Sequence, residues 1–189
     1  MTIEELQELI EISGKDLYSF CLHLTGSVEQ GEDLYQETFL QAVRKLDQID
    51  VSRNVKSYLC GIAVRLQKNE SRKADIHNRI APILEDQEGD RITNLAVPSE
   101  SGQEGLTYIL SKEQRSEVMK AVNALSDKYR IPVLLFYMEE LPVKEIARIL
   151  GIPKGTVLSR LRAARKQLRS TLEVYYHEGD WNEYGRCPI

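Results

Sequence analysis

Residues 141–168 read LPVKEIARILGIPKGTVLSRLRAARKQL, and this stretch decides the fold. Val143, Ile146, Ala147 and Leu150 lie on one side of a short helix, at the i, i+3, i+4, i+7 spacing of an amphipathic element. Gly151 follows, and Pro153 sits where a second helix would begin. On that helix Val157, Leu161, Ala164 and Leu168 form a second apolar row that should pack inward. Helix, tight glycine turn, helix is the arrangement of a helix-turn-helix motif.

At about 100° per residue, Ser159, Arg162 and Lys166 then point almost directly away from the apolar row. Gly155, Thr156 and Ala163 lie beside them, with Arg160 and Arg165 at the margins. An exposed cationic helix fits the major groove of duplex DNA, where Arg and Ser reach base edges and flanking Arg, Lys and Thr hold phosphates. The competing reading is a basic surface helix facing a membrane or an acidic protein. The glycine turn and the helix before it favour DNA.

The rest of the chain hides a second basic block behind its overall charge. Across 189 residues the formal net charge is -4, yet the charges are segregated. Residues 1–50 hold 11 acids and 3 bases, 51–80 hold 2 and 7, and 81–118 hold 8 and 3. Residues 119–170 hold 4 acids and 11 bases, and 171–189 hold 4 and 1. Two basic blocks separated by an acidic stretch are two places for a polyanion, which a global isoelectric point conceals.

Helical patterning runs almost throughout, and no strand-like alternation appears. Leu17, Phe20, Cys21 and Leu24 predict a helix that stops near Thr25, with Gly26 at its C-cap. Ser27 to Gln30, SVEQ, is a capping-box pattern that starts the next helix, with Tyr35, Phe39, Ala42 and Leu46 as its apolar stripe. A polar loop, 47–54, precedes a third helix through Tyr58, Leu59, Ile62, Ala63 and Leu66, whose polar side carries Lys56, Arg65, Lys68, Asn69, Arg72 and Lys73. Residues 82–104 lose periodicity, collect Pro, Gly, Ser and acids, and read as a flexible linker. Beyond it Val118, Ala121, Val122 and Leu125 form a stripe ending at Ser126, and a short helix is predicted to open near Pro132. Glu139 and Glu140 read as solvated surface.

Several function classes are excluded on the same grounds. No run approaches the roughly 18 apolar residues of a membrane span, and the acidic N-terminus is unlike a signal peptide, so a cytoplasmic location without membrane insertion is expected. Cys21, Cys60 and Cys187 form no CxxC pair, and His23, His77 and His177 have no metal-ligand spacing. Cys21 and Cys60 read as small core hydrophobes. No Gly-rich phosphate loop and no nucleophile constellation is present. The expectation is therefore no catalytic residue, no metal and no cofactor.

With both basic blocks located, the sequence resembles the extracytoplasmic function (ECF) group of bacterial sigma-70 family factors. The resemblance rests on residues 17–48, with the D-x-x-Q-E-x-F pattern as Asp33, Gln36, Glu37 and Phe39, on the helix at 55–73, and on 115–169 with its G-T-V-x-S-R-L-x-x-A-R run. It implies an all-α chain of two small helical domains joined by a flexible linker. Their limits are 1–80 for a sigma-2-like domain, 81–110 for the acidic linker, 111–171 for a sigma-4-like helix-turn-helix domain and 172–189 for a C-terminal extension. It further implies a promoter-specificity subunit that is not itself an enzyme. Asp33, Gln36, Glu37 and Leu40 would dock on core RNA polymerase. Arg53, Asn54, Lys56, Tyr58, Arg65, Lys68 and Asn69 would bind the -10 element and help open the duplex. Thr156, Ser159, Arg160, Arg162 and Arg165 would serve the -35 element, with Ser159 and Arg162 nearest the bases.

An anti-sigma factor is an implied further partner. Tyr58 is either a platform for a stacked base or a half-buried core residue. It stands where many members have Trp, Arg65 where Asn is frequent, and Leu158 and Ala163 where charged residues are common. Residues 171–189 read as an extension or as a docking segment. The alternative to a sigma factor is a conventional helix-turn-helix regulator that binds duplex DNA unaided, usually as a symmetric dimer.

Overall fold

The computed structural model describes residues 3–46, 49, 54–80 and 112–172, with side chains placed for 14–46, 49, 54–73 and 116–172. Among the described residues the chain is all helical. The first unit comprises α1 (Ile3–Thr25), α2 (Val28–Val43) and α3 (Val55–Ile80). A second unit comprises α4 (Lys112–Ala124), α5 (Asp127–Val133), a π-helical turn (Leu134–Met138), α6 (Val143–Leu150) and α7 (Lys154–Leu172). Residues 81–111 and 173–189 lie outside the described residues, and with them the expected linker (81–110), the expected C-terminal extension (172–189) apart from Leu172, and Cys187 and His177.

The α1–α2 corner follows from its turn chemistry. Gly26 takes φ 75°, a left-handed conformation that glycine adopts without a Cβ clash. Its N–H bonds the Leu22 carbonyl at 2.9 Å, ending α1. Ser27 then caps α2, its hydroxyl accepting from the Gln30 N–H. The buried row of α2 is Gly31, Leu34, Thr38 and Ala42, whereas Tyr35 and Phe39 sit half-buried beside it in an edge-to-face aromatic row with Tyr18. The predicted stripe is thus displaced by about one residue. The reason is close approach: a Cβ on Gly31 would meet the Leu22 Cα at 2.8 Å, and Thr38 enters the core by donating its hydroxyl to the Leu34 carbonyl at 2.7 Å.

In the second unit, α5 starts at Asp127, five residues before the predicted opening at Pro132. Ser126 governs the start, its carbonyl accepting the first N–H bonds, from Tyr129 and Arg130 at 2.8 Å. Pro132 instead lies inside the helix, where it removes one intrahelical bond, and a π-helical turn follows. Gly151, at φ 66°, closes α6 and begins the turn into α7, as the sequence predicts.

Both units contribute to one apolar core. Phe20, Leu24, Leu59 and Ala63 of the first belong to the same buried cluster as Leu135, Ile146, Leu161 and Ala164 of the second. The units meet where α3 packs on α6 and α1 packs on the π turn. Cys21 and Cys60 are buried free thiols, as read from the sequence. Burial pushes the Cys21 thiol up to about 12.

Candidate nucleic-acid interface

Helix α7 is anchored by one row and bare along the other. Val157, Leu161 and Ala164 are fully buried, with Leu172 buried below them and Leu168 packed against the core. This row fixes the helix about its own axis and turns Ser159, Arg162 and Lys166 to solvent. Arg160 and Arg165 are half-buried at the margins, as their angular positions predict, and Thr156, expected beside the outward residues, is half-buried too. From Lys154 to Leu172 the helix holds six cations and no acid. The Ser159 hydroxyl donates to the Thr156 carbonyl at 2.9 Å, which leaves its lone pairs free to accept from a base amine. Among the described residues, a Cβ on Gly155 would meet no atom within 4 Å beyond its own helix and chain neighbours.

The second basic helix is differently placed. Asn54, exposed, caps α3, its side-chain oxygen accepting the Ser57 N–H at 2.9 Å. Tyr58 is half-buried and packed against the core, while Arg65 and Asn69 are exposed. Lys68 is half-buried; burial lowers its pKa from the ordinary lysine value, and the nearby charges of Arg160 and Arg72 lower it further. The cations of α3 and α7 therefore approach one another, and a phosphate between them would relieve their repulsion. Arg53 lies outside the described residues.

Lys56 is already engaged. Its ammonium sits 3.2 Å from Glu139 Oε2 and 3.4 Å from Asp16 Oδ2. Glu139 is only 3% exposed, so the reading of Glu139 as solvated surface is corrected; Glu140 is exposed. Burial raises the Glu139 pKa, with Lys56 opposing the rise. For Lys56, burial works against the charge, but Glu139 and Asp16 outweigh it and the pKa stays above the ordinary value. The Cys60 thiol lies 3.7 Å from the same Glu139 oxygen. Alongside, the buried Ser57 hydroxyl donates to Glu145 at 2.9 Å, and Glu145 pairs with Arg148 at 2.6 Å. Buried Arg130 reaches across to the Leu24 carbonyl at 3.0 Å and pairs with Asp127 at 2.8 Å. Nearby His23 is buried and held down to about 4, by desolvation first and by the Arg130 charge second.

Among the described residues, then, the seam between the two units is polar. Of the buried polar side chains His23, Thr38, Ser57, Asn123, Arg130 and Glu139, only Thr38 acts wholly within its own helix. Sequence reasoning missed Ser57, Glu139 and Glu145. A signal existed for Glu139, which continues the buried Ile131 and Leu135 row at four-residue spacing.

A third surface lies on α2, where Asp33, Gln36, Glu37 and Leu40 share one outward face. Leu40 is 51% exposed and Val43, not predicted, joins it at 48%. Glu37 accepts from Gln41 at 2.8 Å and lies 3.8 Å from Arg44. Acidic groups beside exposed apolar ones suit a protein partner better than a polyanion.

One unit thus presents a cationic helix without acids, and the other a second basic helix and a mixed acidic and apolar face. Residues 9–76 match the family model described as Sigma-70 region 2, and residues 115–168 match Sigma-70, region 4. The ECF RNA polymerase sigma factor SigW of Bacillus subtilis is 30% identical over 168 residues, 87% of each chain. SigM of the same organism is 31% identical over 90% of this chain and 94% of its own. Mycobacterium tuberculosis SigL is 32% identical over 83% of this chain and 82% of its own. The chain belongs to the ECF RNA polymerase sigma factors, which are transcription initiation factors. Its fold is also that of a solved complex of the sigma factor RpoE with the anti-sigma factor NepR from Bartonella quintana, at TM-score 0.68 and 24% identity, covering 91% of this chain and 99% of the matched one. Among the described residues no helix is long and apolar enough to cross a membrane.

Proposed function

We propose that this chain acts in the cytoplasm as a non-catalytic subunit that joins core RNA polymerase to promoter DNA, with the work divided among three helices. The α2 face of Asp33, Gln36, Glu37 and Leu40 docks on the polymerase, and Val43 extends its apolar part. The α3 side, with Arg53, Asn54, Lys56, Tyr58, Arg65, Lys68 and Asn69, binds the -10 element and assists melting, Asn54 acting chiefly by holding the helix start. On α7, Ser159 and Arg162 read -35 base edges, while Thr156, Arg160 and Arg165 hold the backbone. An anti-sigma factor is the inhibitory partner of this scheme.

The observation that carries this reading is the outward face of α7, cationic, free of acids and fixed in orientation by its buried row. The polar seam supports the division of labour. Lys56 exchanges Glu139 for a phosphate when α3 engages DNA, and polar groups released from the seam regain water. Run-off transcription with sigma-free core polymerase on a promoter library tests the scheme. A discrete start that needs both proteins is expected. Tight duplex binding by the protein alone, with no initiation, would favour a conventional regulator.

A further inference from the structure

We propose that Leu158 is a specificity residue that reads the C5 methyl group of a thymine within the -35 duplex. The inference rests on the proposal that α7 enters the major groove there. Among the described residues the large exposed hydrophobics are Val28, Leu40, Val43, Tyr137 and Leu158, and only Leu158 belongs to α7. It is 37% exposed and stands one residue out of the buried row headed by Val157. At about 100° per residue it falls on the flank shared by Arg162, Arg165 and Arg169. Its neighbours one turn away are Lys154 and Arg162, both exposed cations. Core packing therefore does not account for an apolar side chain here.

Its surroundings say what does. Gly155, three residues earlier on the adjoining face, has no protein atom within 4 Å of where a Cβ would stand. That open space beside Leu158 lets a duplex edge come close. Cations on either side hold phosphates and would carry the leucine into the groove rather than onto an apolar partner. In the major groove the thymine methyl is the apolar group that a base pair offers, so an uncharged branched side chain between Lys154 and Arg162 selects for it. Leu158 then works beside Arg162, which suits the acceptors of guanine, and Ser159, whose free lone pairs suit a base amine.

The test uses the full chain with core polymerase and a -35 duplex selected from a randomised promoter pool. Each thymine is replaced in turn by deoxyuridine, which deletes only the methyl. For the unaltered protein one position should lose about fourfold in affinity, the equivalent of one buried methyl group. Leu158→Ala should show that loss already on the thymine duplex and no further loss with deoxyuridine, and Leu158→Met should restore discrimination. Circular dichroism of each variant verifies the fold. Indifference of the unaltered protein to every deoxyuridine, a selected element without thymine, or an equal loss in Leu158→Ala would overturn the proposal. So would weaker binding of Leu158→Ala to core polymerase without DNA, which would make the side chain a protein contact. Failure of the -35 reading itself is distinguished by Arg162→Ala, which would then leave promoter preference unchanged.

Discussion

Helices α7 and α3 carry comparable positive charge but present it in opposite ways. On α7 the outward cations have no carboxylate on their own helix, and the anchoring row beneath them is wholly apolar. On α3 the first-turn cation, Lys56, lies between two carboxylates, one of them buried in the other unit. A basic surface is available or withheld according to what the neighbouring element offers it. Cations without a carboxylate on their own helix meet DNA with less to give up, whereas Lys56 must first exchange partners.

Acid weakens the seam through His23. His23 is depressed from 6.5 to about 4 in the folded chain. Above pH 6.5 it is neutral in both states and contributes nothing. As pH falls from 6.5 toward 4, the unfolded chain gains a proton that the folded one does not, and stability drops by roughly 3 kcal/mol at the lower end. Urea denaturation across this window should show the loss, and His23→Gln should flatten it. An unchanged slope in the variant would remove His23 from the account.

On α7, Arg162→Ala should lower -35 discrimination by about ten- to a hundredfold, the range of one base contact, with polymerase affinity unchanged. Filter binding to matched and mismatched duplexes reads this directly. A smaller effect is expected from Glu139→Gln, which keeps the shape of the buried side chain and removes its charge. Thermal stability should fall by about 1 kcal/mol while the affinity of α3 for -10 single strands rises, making α3 behave more like α7. Lower affinity would show that the Glu139 and Lys56 pair positions α3 rather than withholding it. At the bottom of the scale, Lys73→Ala breaks an exposed pair with Glu70, both side chains more than half exposed, and should leave stability unchanged within error.

What was legible in the sequence follows the same division. The α6, Gly151 and α7 motif could be read residue by residue, because an apolar period, a left-handed glycine and a flanking proline all point one way. Its cations could be placed because α7 has no acid to pair with them. The start of α5 was less legible, since Pro132 drew attention from the capping Ser126. On α2 the hydrophobic count misplaced the stripe by favouring Tyr35 and Phe39 over Gly31, where α1 passes too close for a side chain, and Thr38, whose hydroxyl is satisfied by the Leu34 carbonyl. Glu139 was hidden for a deeper reason. Its partner, Lys56, is 83 positions away in sequence, and the i, i+4 row with Leu135 gives burial without naming the partner. The α2 and α3 site residues could be placed on their helices by period, but whether each is free depends on contacts between the units.

The most direct test of the central claim is run-off transcription with sigma-free core polymerase, comparing the unaltered chain with Glu37→Lys and Arg162→Ala. The account predicts a discrete start with the unaltered chain and loss of initiation at every promoter with Glu37→Lys. With Arg162→Ala, initiation should persist but with relaxed -35 preference. Parallel loss in both variants together with loss of helical content, or no initiation by the unaltered chain, would contradict the assignment of separate polymerase and promoter surfaces to α2 and α7.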